Sequence, residues 1–544
     1  MTFCSLPLRG TINTVGAGPQ GHRGPLWALS LLIFVTGCAL TGSPSQKASP
    51  SADPDELVGR PSATATSSPP TRSGALWYRI EPAADHLTVH LRLLQPPSRA
   101  TFFLPGPWAG REDFDTRIAL GQATGPDGPL PVAVDRGQGR IDVSASQAPW
   151  IELAYRVETT SSRTEATRLD PFATEEQFFA YAPTFLVLPS AGVADQLREI
   201  PVEVHLPPDW EVSATWPRSQ VQRDPDGQVV GFVADDIGSL RDAFLGAGAH
   251  WAAAGMDDPY SPLGLTTAGE FELPLRELHD AALEVVSAYL DTFGTYDRLE
   301  AIVLPAAPDA PNHLRGMGRR GGFVLEIRPD QPLDEELLLL LAHEALHCWN
   351  GHQLVPEAAA EASTVWFKEG VTHYIALKTL TQQGLISGRF ARRELAMAGQ
   401  FYLANPLVTG ETVRPVDRAR LPYDRGVLIA MALDAYLAHH SDDTVHIEDW
   451  LKRLLHGHAQ EGIRTFDPSD LRLALGDITE HLGPGSADEA IEYYDGLIRT
   501  ASLPVPEIFS SLGLHLLPAA DDEPARALPR DSALFHRLFS RASP

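Results

Sequence analysis

Cysteine is scarce: Cys4, Cys38 and Cys348 are the whole complement of a 544-residue chain. Three cysteines make no disulfide framework, so packing has to hold the fold together. Basic residues are also in deficit, 43 Lys and Arg against 70 Asp and Glu, for a formal net charge of -27. That balance argues against a nucleic-acid partner and accounts only for solubility at neutral pH. The apolar run Pro25 to Val35 is too short to span a bilayer, and no internal repeat of fixed period is visible. What remains is a globular composition, 43% hydrophobic, in a chain too long for one ordinary core, which predicts two or three domains.

The run Pro25 to Val35 follows Arg9 and Arg23 and ends in Val35-Thr36-Gly37-Cys38. This ending resembles a bacterial lipobox, with small residues flanking the cysteine as cleavage requires. The resemblance implies removal of residues 1–37 as a signal peptide and a lipid on Cys38. The protein is then expected to be extracytoplasmic and anchored to a bacterial membrane; an ordinary signal peptide or an N-terminal membrane anchor is the alternative. From about Thr41 to Ser73 the chain is mostly Ser, Pro, Thr and Ala. Such a segment cannot offset the entropy of ordering, so residues 38–74 are expected to be a flexible tether.

Apolar residues then alternate at Leu87, Val89, Leu91 and Leu93, and again at Ile151, Leu153, Tyr155 and Val157, the period of half-buried strands. Turn signals at Pro126-Asp127-Gly128 and Asp224-Pro225-Asp226-Gly227 separate such runs. Residues 75–258 therefore predict a β-rich, sandwich-like N-terminal domain with no titratable constellation of its own. From residue 259 to about 520 the pattern is mostly helical, with a helix over Leu275 to Phe293 and short strands over Leu299 to Leu304 and Phe323 to Ile327. Residues 521–544 read as a loosely packed tail.

Leu337 to Trp349 is apolar nearly all round, the mark of a helix buried in a core, yet it contains His343, Glu344 and His347. Residues four apart share a helical face, so both histidines can present a nitrogen to one ion at about 2.0 to 2.1 Å. Glu344 then sits beside the ion, placed to take a proton from a zinc-bound water. A third ligand is required, and Glu369, on a second predicted helix in Trp366-Phe367-Lys368-Glu369-Gly370, is the candidate. Two satisfied core histidines would give the same short pattern; the apolar-flanked Glu-Gly downstream favours one zinc per chain.

The runs His343-Glu344-Ala345-Leu346-His347-Cys348-Trp349-Asn350 and Trp366-Phe367-Lys368-Glu369-Gly370-Val371-Thr372-His373-Tyr374 together resemble the glycyl aminopeptidase family of gluzincin metallopeptidases. Tyr423-Asp424-Arg425-Gly426 is similar to that family's Tyr-x-Lys-Gly segment, and Tyr493 to Leu514 to its closing segment. The resemblance implies a thermolysin-like catalytic domain behind the β domain. It also implies hydrolysis of peptide or protein substrates, and a Tyr423 hydroxyl that faces the reaction centre. Two departures stand out. Only thirty residues follow Leu514, too few for the PDZ-like domain often found in the family. The segment Gly316 to Gly322 has Arg319 and Arg320 but no acid to meet a substrate amine, so aminopeptidase and endopeptidase action both stay open.

Phe323 to Ile327 is expected to be the edge strand along which a peptide lies. Arg319 and Arg320 either point inward, where they would repel an amine, or face solvent. Trp349, Trp366 and Cys348 read as core packing, Asn350 as a cap or loop anchor, and His352, His373, His439 and His440 stay unassigned. The competing class is a zinc-binding, peptidase-like surface lipoprotein that captures a partner without turnover.

Overall fold

The computed structural model describes residues 76–540 apart from 195–196, 225–226, 257, 259, 295, 312, 405–414, 458–463, 518–525 and 530–532. It also describes Thr2–Phe3 and Thr36–Gly37, which pair as antiparallel strands. Residues 38–74, the expected tether, and with them Cys38, lie outside the described residues. Among the described residues no helix is long and apolar enough to cross a membrane.

The alternating segments form strands His86–Leu94 and Trp150–Glu158, which pair antiparallel with Leu91 opposite Leu153. Leu87, Val89, Leu91 and Leu93 are buried while their neighbours are not, because one face of the sheet meets the core and the other meets water. Both strands lie inside an eight-stranded sheet that shares one apolar core with two four-stranded sheets. The turn signals are hairpin ends: Asp224 stands opposite Gly227, and Gly125 opposite Gly128.

Beyond this β-rich part the strands are β1 (Trp251–Ala254), β2 (Leu263–Ala268), β3 (Leu299–Pro305), β4 (Arg315–Arg319) and β5 (Gly322–Ile327). They form one sheet in the order β1-β2-β3-β5-β4. β2, β3 and β5 are parallel, and antiparallel β1 and β4 close the two edges. Phe323 to Ile327 is therefore an inner strand, contrary to the sequence expectation. The glycine-rich stretch ahead of it is itself the edge strand β4, which folds back through Arg320 and Gly321. Gly321 sits at φ +82°, the left-handed turn position glycine tolerates. Glycine has low strand propensity, which hid β4 from pattern reading.

Helices cover one face of this sheet: α1 (Leu275–Phe293) and α2 (Glu335–Leu346). The other face meets the β-rich part, where Trp108, Phe179, Tyr181 and Phe244 pack with Ile302, Leu304, Met317 and Val324. Each such apolar side chain contributes about 2 kcal/mol on burial, so the two parts share a substantial apolar seam. The helical part continues with α3 (Thr372–Gln383), α4 (Gly388–Leu403) and α5 (Pro415–His440). The expected loose tail instead carries a helix, Ala533–Phe539, with Phe535, Leu538 and Phe539 buried. Phe539 meets Tyr374 of α3 edge-on at 5.7 Å, so the tail's apolar residues close that side of the core.

Candidate metal centre

Asp334 caps α2, its carboxylate accepting the Leu337 N–H at 2.9 Å, and every residue from Leu337 to Leu346 is buried. His343 lies in the last turn and His347 at the C-cap, with their Nε2 atoms 3.0 Å apart. The His347 Nδ1–H donates to the Asn350 carbonyl at 2.9 Å, which leaves a lone pair on Nε2.

Glu369 arrives on a different element. A short helix, Glu361–Val365, runs into a π-helical turn, Trp366–Val371, and then into α3. The wider turn, a form often found at functional sites, carries Glu369 to the histidines: its Oε2 is 3.2 Å from His347 Nε2 and 3.6 Å from His343 Nε2. Asn350 ties the two elements together. Its Nδ2 reaches the Phe367 carbonyl at 3.2 Å and Thr372 Oγ1 at 3.1 Å, so one residue orients a histidine ligand through its backbone and the glutamate's turn through its side chain. Glycines fix the crossing with α5: a Cβ on Gly426 would stand 2.0 Å from the Trp366 carbonyl oxygen and 2.9 Å from Gly370 Cα.

Among the described residues, His343, His347 and Glu369 form the cluster whose ligand atoms all lie within 4.8 Å of one another. Two imidazole nitrogens and a carboxylate oxygen converging on one buried point fit a zinc ion that keeps a fourth position open. The electrostatics agree. Burial, with His347 beside it, pushes His343 down to about 4, so it is neutral as a ligand must be. Burial opposes charge on both His347 and Glu369, but their mutual attraction wins, raising His347 and holding Glu369 well below the usual carboxylate range.

Glu344 turns toward β4. Its Oε2 accepts the Gly318 N–H at 2.8 Å, and its Cγ occupies space 2.1 Å from where a Gly316 Cβ would stand. A Cβ on Gly318 would meet His347 Cβ at 2.4 Å, so β4 lies flush on the helix only because both positions are glycine. Burial, then the Glu369 charge, pushes the Glu344 carboxyl up to about 7 against His347 and the Gly318 N–H. A carboxylate so tuned can take and return a proton near neutral pH.

The Tyr423 hydroxyl lies 3.2 Å from His343 Nδ1 and 2.9 Å from His373 Nδ1, on the ring nitrogen of His343 turned away from the ligand cluster. Arg425, the counterpart of the family's lysine, donates to the carbonyls of Leu497, Ile498 and Thr500 at the end of helix Ser486–Arg499. It joins the Tyr423 segment of α5 to the segment Tyr493 to Leu514.

Arg319 and Arg320 neither point at the metal centre nor face solvent. Residues 315, 317 and 319 alternate away from α2, so Arg319 is buried over Trp108 with its guanidinium 4.7 Å from the ring centre and 3.6 Å from Asp242. Arg320 reaches Asp236 at 3.4 Å and Asp235 at 3.7 Å. Asp242 also meets His352 Nδ1 at 2.5 Å. Burial would raise the Asp242 carboxyl, but His352 and Arg319 override it and draw it down to about 2; burial lowers His352. Both folded values lie below the unfolded ones, so this clasp stabilises at neutral pH and is lost as acid is added, the Asp242 share between about 4 and 2. Thermal unfolding should show wild type losing Tm faster than Asp242→Asn as pH falls through 4. Parallel curves would remove the clasp.

Sequence reasoning missed three contributors: His373, the site-facing glycines of β4 and the Gly370–Gly426 contact. His373 follows Glu369 by one helical turn, a spacing that carried the signal. The glycines had none without the fold.

Residues 336–420 match the sequence profile of the M61 glycyl aminopeptidase family. The comparison with curated proteins returned no match. Among solved structures, the chain resembles an aminopeptidase N family protein from Idiomarina loihiensis, with a TM-score of 0.64 at 19% identity over 83% of this chain and 81% of that one. It also resembles an M1 zinc metallopeptidase from Deinococcus radiodurans, with a TM-score of 0.51 at 15% identity over 79% and 93%. A mutant of that protein bound to a Tyr-Ser-Ala substrate gives a TM-score of 0.51 at 15% identity over 79% and 94%.

Proposed function

We propose that this chain, a zinc metallopeptidase of the aminopeptidase-like kind, hydrolyses peptide bonds in substrates laid along β4, with His343, His347 and Glu369 as zinc ligands and Glu344 as the base. The observation that carries the reading is the convergence of those ligands beside the buried Glu344 carboxylate, which the Gly318 N–H holds in place. With Gly318 N–H turned to Glu344, the alternation of an antiparallel ladder directs the main-chain groups of Gly316 and Gly318 to the open edge of the sheet. A peptide pairing there is read by its backbone, which admits many sequences. Zinc, when bound, polarises the scissile carbonyl and activates water. Glu344 takes the proton from the attacking water and returns it to the leaving nitrogen. Tyr423, whose hydroxyl lies between His343 Nδ1 and His373 Nδ1, would have to release His373 to donate its one proton to the oxyanion as charge develops.

β4 contributes no acidic side chain, because its odd positions face the β-rich part and its even ones are glycine. Recognition of a free amine is therefore weak in this reading. A matched pair of peptides, free and N-acetylated, should be cleaved with comparable kcat/KM at pH 7, and both rates should vanish on chelation and return with zinc. A loss on acetylation above about 10²-fold, roughly 2.7 kcal/mol, would establish strict aminopeptidase action. No cleavage of either peptide by zinc-loaded protein would favour the binding lipoprotein.

The location belongs to the same proposal: the lipobox-like Val35-Thr36-Gly37-Cys38 supports an extracytoplasmic, lipid-anchored protein. Cys38→Ala should abolish incorporation of labelled fatty acid and move the protein from the membrane to the soluble fraction. Unchanged membrane association would point to a different anchor.

A further inference from the structure

We infer that His373 is a positioning residue for Tyr423, the far end of a hydrogen-bonded line that runs from the ligand His343 through the tyrosine hydroxyl. It goes beyond the ligands and base and rests on the peptidase reading for its catalytic arm alone. His343 turns Nε2 toward His347 and Glu369, so a neutral ring with its lone pair there carries its proton on Nδ1. That Nδ1–H donates to the Tyr423 oxygen at 3.2 Å. The hydroxyl, having accepted one bond, donates its own proton to His373 Nδ1 at 2.9 Å. Each polar atom in this line finds a partner, as burial demands: His343, His373 and Tyr423 are 0%, 7% and 7% exposed.

The two histidines approach from different elements. His343 ends α2, while His373 opens α3 just after the π-helical turn that carries Glu369. The ring centres of His373 and Tyr423 are 5.2 Å apart at 63°, and those of His343 and Tyr423 5.7 Å apart at 30°. Tyr423, which follows Pro422 in α5, is thus held between two rings rather than by its own helix. Without an acceptor at His373 the phenol proton has no fixed direction, and the hydroxyl loses one of the two bonds that set its place. The place of the Tyr423 hydroxyl and the orientation of His343 share one dependence.

The test is a cycle of His373→Leu, Tyr423→Phe and the double variant, with His373→Asn as the conservative replacement. Asparagine places Oδ1 near the position of histidine Nδ1, so it restores an acceptor while removing the ring. Zinc affinity of the metal-free protein, measured by chelator competition, is the readout that needs no turnover; kcat and KM for a peptide are the second. Tyr423→Phe is expected to weaken zinc binding by about tenfold, the low end for a partner of a ligand. His373→Leu should weaken it in the same direction by a smaller factor, lower kcat by about tenfold and leave KM within about twofold. The double variant should match Tyr423→Phe in both, and His373→Asn should recover most of the loss. Equal losses from His373→Leu with and without the tyrosine hydroxyl would overturn the inference, as would a failure of asparagine to recover function in a protein of unchanged Tm. If zinc affinity follows the cycle but no peptide is cleaved, the positioning line stands and the peptidase reading fails.

Discussion

Glu344→Gln should keep zinc at one per chain and lower peptide hydrolysis by at least about 10²-fold, the usual range for loss of a general base. The substitution preserves volume, and the new amide oxygen still accepts the Gly318 N–H that holds the present carboxylate at 2.8 Å. Position is therefore kept and proton transfer is removed. Elemental analysis and kcat on the same preparation give both halves of the result. Activity close to wild type would mean that another group takes the proton; loss of zinc as well would mean that Glu344 shapes the metal site.

Gly426→Ala should do the opposite, leaving the base in place and scattering the ligands. Its Cβ would stand 2.0 Å from the Trp366 carbonyl and 2.9 Å from Gly370 Cα, both backbone atoms that cannot swing aside. To reach ordinary contact, α5 and the π-helical turn must part by more than about 1 Å, and a misplacement of that order can cost about 10²-fold in rate. Overpacking of this kind costs about 3 kcal/mol of stability. Glu369 rides on that turn, so zinc content should fall well below one per chain while the protein still folds, with a lowered Tm. Full zinc occupancy in Gly426→Ala would show that the turn is set by Asn350 alone.

Much of this centre was legible in local pattern. His343, Glu344 and His347 share a buried helix, and helical period alone places the two histidines on one face. Glu369 was found because a carboxylate amid Trp366 and Phe367 needs a reason for burial. The β strands of the first part were equally readable, since Leu87 to Leu93 and Ile151 to Val157 alternate with period two and are covered on one side only.

Other features were not legible, and each for a physical cause. The π-helical turn differs from an α-helix by one residue in one turn, which leaves the apolar pattern nearly unchanged. β4 carries glycines where pattern reading looks for side chains, and their value appears only against α2, a distant segment that fills the space of the missing Cβ atoms. Whether Arg319 and Arg320 point inward or face solvent stayed open in the sequence, because charge in a sequence has no direction. Strand alternation turned residue 319 toward Trp108 and Asp242. The helix period of His343-Glu344-Ala345-Leu346-His347, taken together with the apolar-flanked Glu369 downstream, was enough to point to a metal site with a base beside it. Tertiary structure decided the rest: which strand is open to a peptide, where the arginines point, and that His373 meets Tyr423. Those are contacts between elements far apart in the chain, and no local preference encodes them.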